Sequence, residues 1–182
     1  MAGRLLLVCG SLREASTNSA VVRTAAALGG VDAVVYHGLA GLPHFNPDHE
    51  GPPLPAAVED LRSAIHAADA LLFCAPEYAG ALPGSFKNLL DWTIGDDQPG
   101  SIYEKPVAWI NASPRGARGA HGELRAVLGY AHASVVEEAC VDVPVTADMI
   151  SADGLVVDPP ARAEITRAVR SLLEHCATTA RR

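Results

Sequence analysis

A dense group of hydrogen-bond donors follows the first apolar run of the chain, Leu5–Cys9. Its members are four small polar residues and one arginine: Ser11, Ser16, Thr17, Asn18 and Arg13. A helix is predicted to begin close behind them, and the first turn of a helix carries unpaired N–H groups and partial positive charge. The pattern therefore indicates a phosphate site. A simple helix cap is the alternative, but it needs only one of these residues.

A second candidate loop follows the third apolar run, Ala70–Ala75. Its turn-forming residues predict a stiff, tightly turned connection; they are Pro76, Gly80, Pro83 and Gly84. Such a loop can direct backbone N–H groups at a flat polar ligand, and Tyr78 adds an aromatic face or a hydroxyl. Lys87, Asn88 and Asp91 on the following helix are expected to brace the loop. Composition alone fits an ordinary strand-to-helix connection equally well.

Short apolar runs alternate with longer helical patterns along the whole chain. Runs of consecutive apolar residues suit strands buried on both faces of a parallel sheet, and they occur at Leu5–Cys9, Ala33–Tyr36, Ala70–Ala75, Val107–Asn111 and, within 135–145, Ala139–Val143. Helical patterns occur at Ser19–Leu28, Pro55–Ala67, Gly84–Trp92, Gly119–Ala131 and Ala161–Ala180. The alternation predicts an α/β, flavodoxin-like three-layer sandwich with a five-stranded parallel sheet in the order 2-1-3-4-5. In that order, the loops after strands 1, 3 and 4 meet at the carboxyl edge, where ligands bind.

Length, charge and cysteine spacing narrow the classes of function. The 182 residues are expected to form one domain, and the net charge of −7 argues against a nucleic-acid partner. No apolar run reaches the roughly 18–20 residues that a membrane span needs, and the start of the chain lacks the apolar stretch of a signal peptide, so a cytoplasmic protein is expected. The four widely spaced cysteines form no metal or redox motif. Cys9 and Cys74 lie in apolar strand-like runs and are interpreted as buried, inert thiols.

Together, the two loops resemble the sequence pattern of the NADPH-dependent FMN reductase family. Its first motif, G-S-x-R-x-x-S-x-N, is matched at Gly10, Ser11, Arg13, Ser16 and Asn18. Its second, P-E-Y-N-x-S-x-P-G-x-x-K-N-x-x-D-W, is matched at Pro76, Glu77, Tyr78, Pro83, Gly84, Lys87, Asn88, Asp91 and Trp92. The chain has Ala79 and Ala81 where the family often has Asn and Ser, so it lacks two polar side chains at the expected edge of the flavin.

The resemblance implies an FMN-dependent NAD(P)H oxidoreductase, and it assigns cofactor contacts. The FMN phosphate would contact the side chains of Ser11, Arg13, Ser16 and Asn18 and the backbone N–H groups at the helix start, up to that of Ser19. The isoalloxazine would lie against Pro76, Glu77, Tyr78, Ala79 and Gly80, with Ser113 and Gly116 contributing from the loop after the fourth strand. NADPH or NADH would pass hydride to the flavin N5, and a small acceptor such as a flavin or quinone would then take the electrons. No catalytic side chain and no metal are implied.

Several assignments stay open at this level. A flavodoxin-type electron carrier or an FMN-binding regulatory domain would bind FMN without nicotinamide turnover. The resemblance implies a homodimer or homotetramer whose other partner is a small molecule. Glu77 is expected to stabilise its loop rather than to act as an acid or base. His121 is predicted to be an exposed residue at a helix start, and Arg115 and Arg118 are candidates for contacts to the phosphates of NADPH.

Overall fold

The structure, a computed structural model, describes residues 3–179. Its parallel sheet consists of β1 (Arg4–Cys9), β2 (Asp32–Tyr36), β3 (Ala70–Cys74), β4 (Pro106–Asn111), β5 (Ser134–Val135) and β6 (Val141–Asp142). The strand order is β2-β1-β3-β4-β5, and β6 also pairs with β4. The predicted 2-1-3-4-5 order and flavodoxin-like architecture are therefore confirmed.

Helices cover both faces of the sheet. They are α1 (Thr17–Ala26), α2 (Ala56–His66), α3 (Gly84–Asp91), α4 (Arg118–Tyr130) and α5 (Pro159–Thr179). Helices α1 and α5 pack against one face, where Leu5 and Leu7 of β1 are buried. Helices α2, α3 and α4 pack against the other face, where Leu6 and Val8 are buried. Successive strand residues point to opposite faces, which explains why the strands are apolar at consecutive positions.

The fifth predicted strand, Ala139–Val143, is wrong in extent. Strand β5 pairs with the beginning of β4, and β6 pairs with its end. Between them, the short 3₁₀ turn Glu137–Ala139 has no partner residues on β4 and buries the Ala139 side chain completely. This edge of the sheet therefore consists of two short strands, β5 and β6, each paired with a different part of β4. The turn between them packs into the core and does not pair with β4.

The helix ends differ by a few residues from the sequence-based expectation. Helix α1 begins at Thr17 instead of Ser19, because the Ser16 side chain caps it. Helix α5 begins at Pro159, after Asp158, whose carboxylate accepts the Ala161 N–H at 3.0 Å. The predicted end of that helix, Ala180, lies outside the described residues. Among residues 3–179, no helix has the length and apolar character needed to cross a membrane.

Candidate active site

Three loops at the carboxyl ends of β1, β3 and β4 enclose one cleft of about 410 Å³. It lies where the strand order reverses, between β1 and β3, which is the usual ligand position in an open α/β sheet. The residues that line it are Ser11, Arg13, Ser16, Thr17, Asn18, Pro76, Glu77, Tyr78, Ser113, Pro114, Arg115 and Ala117.

The loop after β1 presents the start of α1 to this cleft. Ser16 is the N-cap residue, and its hydroxyl accepts the Ser19 N–H at 3.0 Å. The N–H groups of Thr17 and Asn18, at the first two helical positions, have no partner within the helix. Both residues line the cleft, so this end of the cleft carries backbone donors, side-chain donors and the positive end of the helix dipole.

Arg13 adds a guanidinium group to the same end of the cleft. Its side chain donates to the Ala15 carbonyl at 2.9 Å, and its backbone N–H donates to the Ser11 hydroxyl at 3.2 Å. These bonds tie the exposed arginine to its own loop. None of the ion pairs within the described residues includes Arg13, so its charge beside the α1 terminus is not neutralised by a carboxylate there.

The loop after β3 is a tight hairpin. Tyr78 and Ala81 exchange two backbone hydrogen bonds of 3.0 and 3.1 Å. The two residues between them, Ala79 and Gly80, have φ angles of +53° and +77°. Two consecutive positive φ angles are typical of a type I′ turn, in which Asn-Gly is favoured. Ala79 therefore occupies a backbone conformation that an alanine adopts only at a cost.

Helix α4 holds this hairpin in place. The Glu77 carboxylate accepts the Ala120 N–H at 3.0 Å, in the first turn of α4. On the other side of the hairpin, the Glu123 carboxylate accepts the Leu82 N–H at 2.7 Å. Gly119 packs so closely on the Gly80 carbonyl that a side-chain Cβ would clash with it. These contacts agree with the expectation that Glu77 stabilises its loop, because its carboxylate bonds to the N-terminus of α4.

The polar residues of α3 brace a different loop from the predicted one. Asn88 donates to the Pro43 carbonyl at 2.9 Å and accepts the Phe45 N–H at 2.7 Å. Lys87 is paired with Asp91, one helical turn further on, at 2.6 Å. The prediction that these side chains support the loop after β3 was wrong, because Asn88 bonds to the long segment that follows β2 and Lys87 and Asp91 bond to each other.

A buried asparagine shapes the loop after β4. The Asn111 side-chain amide donates to the Gly116 carbonyl at 2.6 Å and to Asp142 at 2.8 Å. Its side-chain oxygen accepts the Ser113 N–H at 3.1 Å. Gly116 and Ala117 both adopt positive φ angles, of +90° and +43°. The loop therefore turns sharply and presents Ser113 and Ala117 to the cleft.

The structure brings eight of the twelve sequence-predicted site residues to the cleft lining and leaves four outside it. The Ser19 N–H, which was expected to contact the phosphate, donates to the Ser16 hydroxyl at 3.0 Å, and the Ser19 hydroxyl also lies 2.8 Å from it. Ala79 and Gly80 lie at the exposed tip of the hairpin, and the Gly116 carbonyl bonds to Asn111. The lining residues absent from the predicted set are Thr17, Pro114, Arg115 and Ala117. Thr17 belongs to the donor-rich run, and Arg115 was a candidate for nicotinamide phosphates, whereas Pro114 and Ala117 carry no sequence signal.

His121 is not the exposed helix-start residue that the sequence suggested. Its side chain is partly buried, with Nδ1 at 2.9 Å from the Ala117 carbonyl. The ring lies against Trp109, with 6.3 Å between the ring centroids. Its Nε2 is buried without a hydrogen-bond partner among the described residues. These contacts make His121 a packing residue beneath the loop after β4.

Comparison with known protein families gives a match to the NADPH-dependent FMN reductases over residues 4–148. The chain belongs to this family. It is 33% identical over 174 residues to the NAD(P)H-dependent FMN reductase PA1204 of Pseudomonas aeruginosa, covering 93% of this chain and 92% of the relative. It is 32% identical over 144 residues to the quinone reductase of Escherichia coli (strain K12), covering 74% of each protein. Among solved structures, the flavoenzyme NAD(P)H:(acceptor) oxidoreductase FerB of Paracoccus denitrificans superimposes with a TM-score of 0.78 at 26% identity, covering 95% of this chain and 98% of FerB.

Membership in the NADPH-dependent FMN reductase family identifies an oxidoreductase that uses FMN and NAD(P)H, not a flavodoxin-type carrier. The chemistry of the cleft fits this cofactor. Its α1 end offers helix N–H groups, small polar side chains and the Arg13 guanidinium, which suit a phosphate. The single carboxylate of the lining, that of Glu77, is occupied by the α4 terminus. A phosphate at α1 therefore meets donors and no free carboxylate within the lining.

Proposed function

We propose that the protein holds FMN in this cleft and uses it to carry electrons from NAD(P)H to a quinone or another small acceptor. The observation that carries the proposal is the meeting, in one cleft, of a helix terminus rich in hydrogen-bond donors and a hairpin bonded to α4. FMN held there would supply the hydride chemistry at its N5 and the electron transfer to the acceptor. The protein residues supply binding and orientation.

The phosphate is assigned to the start of α1. The backbone N–H groups of Thr17 and Asn18 would hold it, together with the Ser11 hydroxyl and the Arg13 guanidinium. Hydrogen bonds to a charged group are worth roughly 1.5–3 kcal/mol each, so this end supplies most of the specificity for FMN over riboflavin. Ser19 contributes indirectly, because its N–H and hydroxyl are engaged by Ser16 and keep the cap in place.

The isoalloxazine is assigned to the hairpin after β3. Pro76, Glu77 and Tyr78 line the cleft there. Ala79 and Gly80, at the exposed tip outside the lining, would contribute only backbone groups at its edge. Ser113 approaches from the loop after β4, and Gly116 fixes the course of that loop. Because α4 clamps the hairpin, its N–H groups are held in place before the cofactor arrives, which reduces the ordering cost of binding.

The acceptor class is proposed from the relatives and from the open side of the cleft. The relatives include proteins named FMN reductase and quinone reductase. The hairpin tip beside the cleft carries exposed Tyr78 and Ala79, and exposed Leu12 lies on the opposite loop. These apolar surfaces suit a planar, largely apolar acceptor such as a quinone.

We also propose a homodimer or homotetramer in the cytoplasm. Leu12 and Tyr78, both more than half exposed beside the cleft, are suited to contact with a second copy. All four cysteines are free thiols, which is typical of proteins in a reducing compartment. Light scattering of the purified protein tests the assembly state.

The test of function is NADPH oxidation by the FMN-reconstituted protein, with and without a benzoquinone. Turnover that requires both FMN and the quinone supports the proposal. Arg13→Ala is expected to weaken FMN binding about tenfold or more and to change riboflavin binding little. Arg23→Ala removes a matched arginine from α1 outside the cleft lining and should leave both affinities unchanged. FMN binding without NADPH or NADH oxidation would refute the reductase assignment.

A further inference from the structure

A buried thiol contacts the proposed phosphate site from below. Cys74 is the last residue of β3, and Asn18 is the second residue of α1. The Cys74 Sγ lies 3.3 Å from the Asn18 side-chain oxygen, Oδ1. The thiol is 1% exposed and the asparagine 7% exposed, so this bond does not compete with solvent.

The protonation state of the thiol sets the direction of this bond. Burial raises the pKa of Cys74 well above its ordinary value, and the nearby Cys9 thiol adds to the rise. Cys74 is therefore a neutral S–H at physiological pH and donates to Oδ1. The thiol cannot serve as a thiolate acceptor for the side-chain amide.

The bond has a consequence for the opposite side of the asparagine carboxamide. When Oδ1 faces the thiol, the donor group Nδ2 faces the other way, and Asn18 lines the cleft. A phosphate accepts hydrogen bonds and repels a carbonyl oxygen. It would therefore bind well only when Nδ2, and not Oδ1, of Asn18 faces the cleft. The reverse orientation would place Oδ1 against the anion. Without the Cys74 thiol, nothing on the sheet side of Asn18 would favour one orientation of the carboxamide over the other.

Cys9 makes a related contact at the next helical position. It is the register partner of Cys74 on the adjacent strand β1, and its Sγ lies 3.5 Å from the Ser19 hydroxyl. That hydroxyl contacts the N-cap residue Ser16. Two neighbouring thiols at the ends of β1 and β3 therefore contact the polar side chains of the first turn of α1.

We propose that Cys74 is a positioning residue for the flavin phosphate, which orients the Asn18 carboxamide so that its NH₂ group faces the cleft. The proposal rests on the proposed function, because it assumes that FMN binds with its phosphate at α1. It assigns a polar role to a cysteine whose sequence context, an apolar strand, indicates only packing.

The experiment compares FMN and riboflavin affinities of wild type, Cys74→Val and Cys74→Ser, measured by flavin fluorescence. Valine keeps the volume and removes the donor, while serine keeps a donor. We expect Cys74→Val to weaken FMN binding roughly three- to tenfold without affecting riboflavin, and Cys74→Ser to stay within about threefold of wild type for FMN. In an Asn18→Ala background, Cys74→Val should cause no additional loss, because the group that it orients is absent.

The outcomes separate the two proposals. Equal losses of FMN and riboflavin affinity in Cys74→Val would show a packing effect and overturn the positioning role, as would full retention of FMN affinity. Wild-type protein that binds FMN no better than riboflavin would overturn the phosphate assignment itself, and the role of Cys74 with it. Cys140→Ala, a cysteine outside the cleft lining, serves as the control and should keep both affinities. The unfolding midpoint of each variant establishes that the compared proteins are folded.

Discussion

The Glu77 carboxylate accepts the Ala120 backbone N–H at 3.0 Å, and this bond joins the hairpin after β3 to the first turn of α4. A carboxylate at a helix N-terminus gains both a hydrogen bond and a favourable interaction with the helix dipole. In sequence, the two residues belong to segments on either side of β4. Their contact couples the proposed flavin-binding hairpin to α4, one of the helices on the Leu6 and Val8 face of the sheet.

Removing this carboxylate should weaken both the fold and the cofactor site. Glu77→Ala is expected to lower the free energy of unfolding by about 0.5–2 kcal/mol, as for other lost N-terminal caps, and to weaken FMN binding. Glu77→Gln keeps an acceptor oxygen and should retain most of the stability. Urea unfolding and FMN titration measure the two effects. Wild-type stability in Glu77→Ala would contradict the capping role.

Two glycines of α4 should respond oppositely to alanine. A Cβ at Gly119 would clash with the Gly80 carbonyl, so Gly119→Ala must displace the hairpin, at a cost of about 1–3 kcal/mol, and should weaken FMN binding. A Cβ at Gly122 meets nothing within 4 Å, and Gly122→Ala should stabilise the helix by about 0.5–1 kcal/mol. Thermal unfolding of both variants provides the comparison. A stabilising Gly119→Ala would mean that the close packing is not required.

The hairpin turn should tolerate, and benefit from, an asparagine at its first position. Ala79 has a φ angle of +53°, a conformation that costs most residues about 1–2 kcal/mol and that asparagine adopts more readily. Ala79→Asn is therefore expected to raise the free energy of unfolding by about 1 kcal/mol. Ala81→Asn, in the same hairpin but without a positive φ, should give no such gain. Equal effects of the two substitutions in urea unfolding would argue against strain at Ala79.

Stability at alkaline pH should depend on Cys140, a partly buried thiol on the sheet edge. Burial is the main reason that the pKa of Cys140 is raised from 9.0 to about 11. The folded state keeps this thiol neutral, whereas the unfolded chain ionises above its own pKa. The contribution of the neutral Cys140 thiol to the free energy of unfolding is therefore complete below pH 9, and it is lost as the pH rises towards about 11.

Cys140→Ala tests this dependence by urea unfolding at several pH values. The stability difference between wild type and variant should be constant below pH 9 and should shift against wild type between pH 9 and about 11. Val136→Ala truncates a buried neighbour that does not titrate, so its difference from wild type should not change over that range. If the stability difference between wild type and Cys140→Ala were as independent of pH as that for Val136→Ala, Cys140 would not carry the predicted effect.

Much of the fold and about two thirds of the cleft lining followed from local patterns. Apolar runs located the strands because both faces of a parallel sheet are buried. The donor-rich run located the start of α1, because caps and anion sites depend on residues adjacent in sequence. The strand order then predicted that the loops after β1, β3 and β4 meet, as Ser11, Tyr78 and Ser113 do around one cleft.

Contacts between distant segments were decided only by the tertiary structure. Nothing near Glu77 in sequence identifies Ala120 as its partner, and nothing in the sequence of α3 reveals that the Asn88 side chain bonds to Pro43 and Phe45. The division of the last strand into β5 and β6 likewise depends on how Ala139 fits the core. The sequence by itself determined the elements, the motifs and the family, because these depend on neighbouring residues and on helical or strand periodicity. The tertiary structure alone decided which helix clamps the hairpin and which thiol contacts Asn18, because those choices depend on the packing of side chains far apart along the chain.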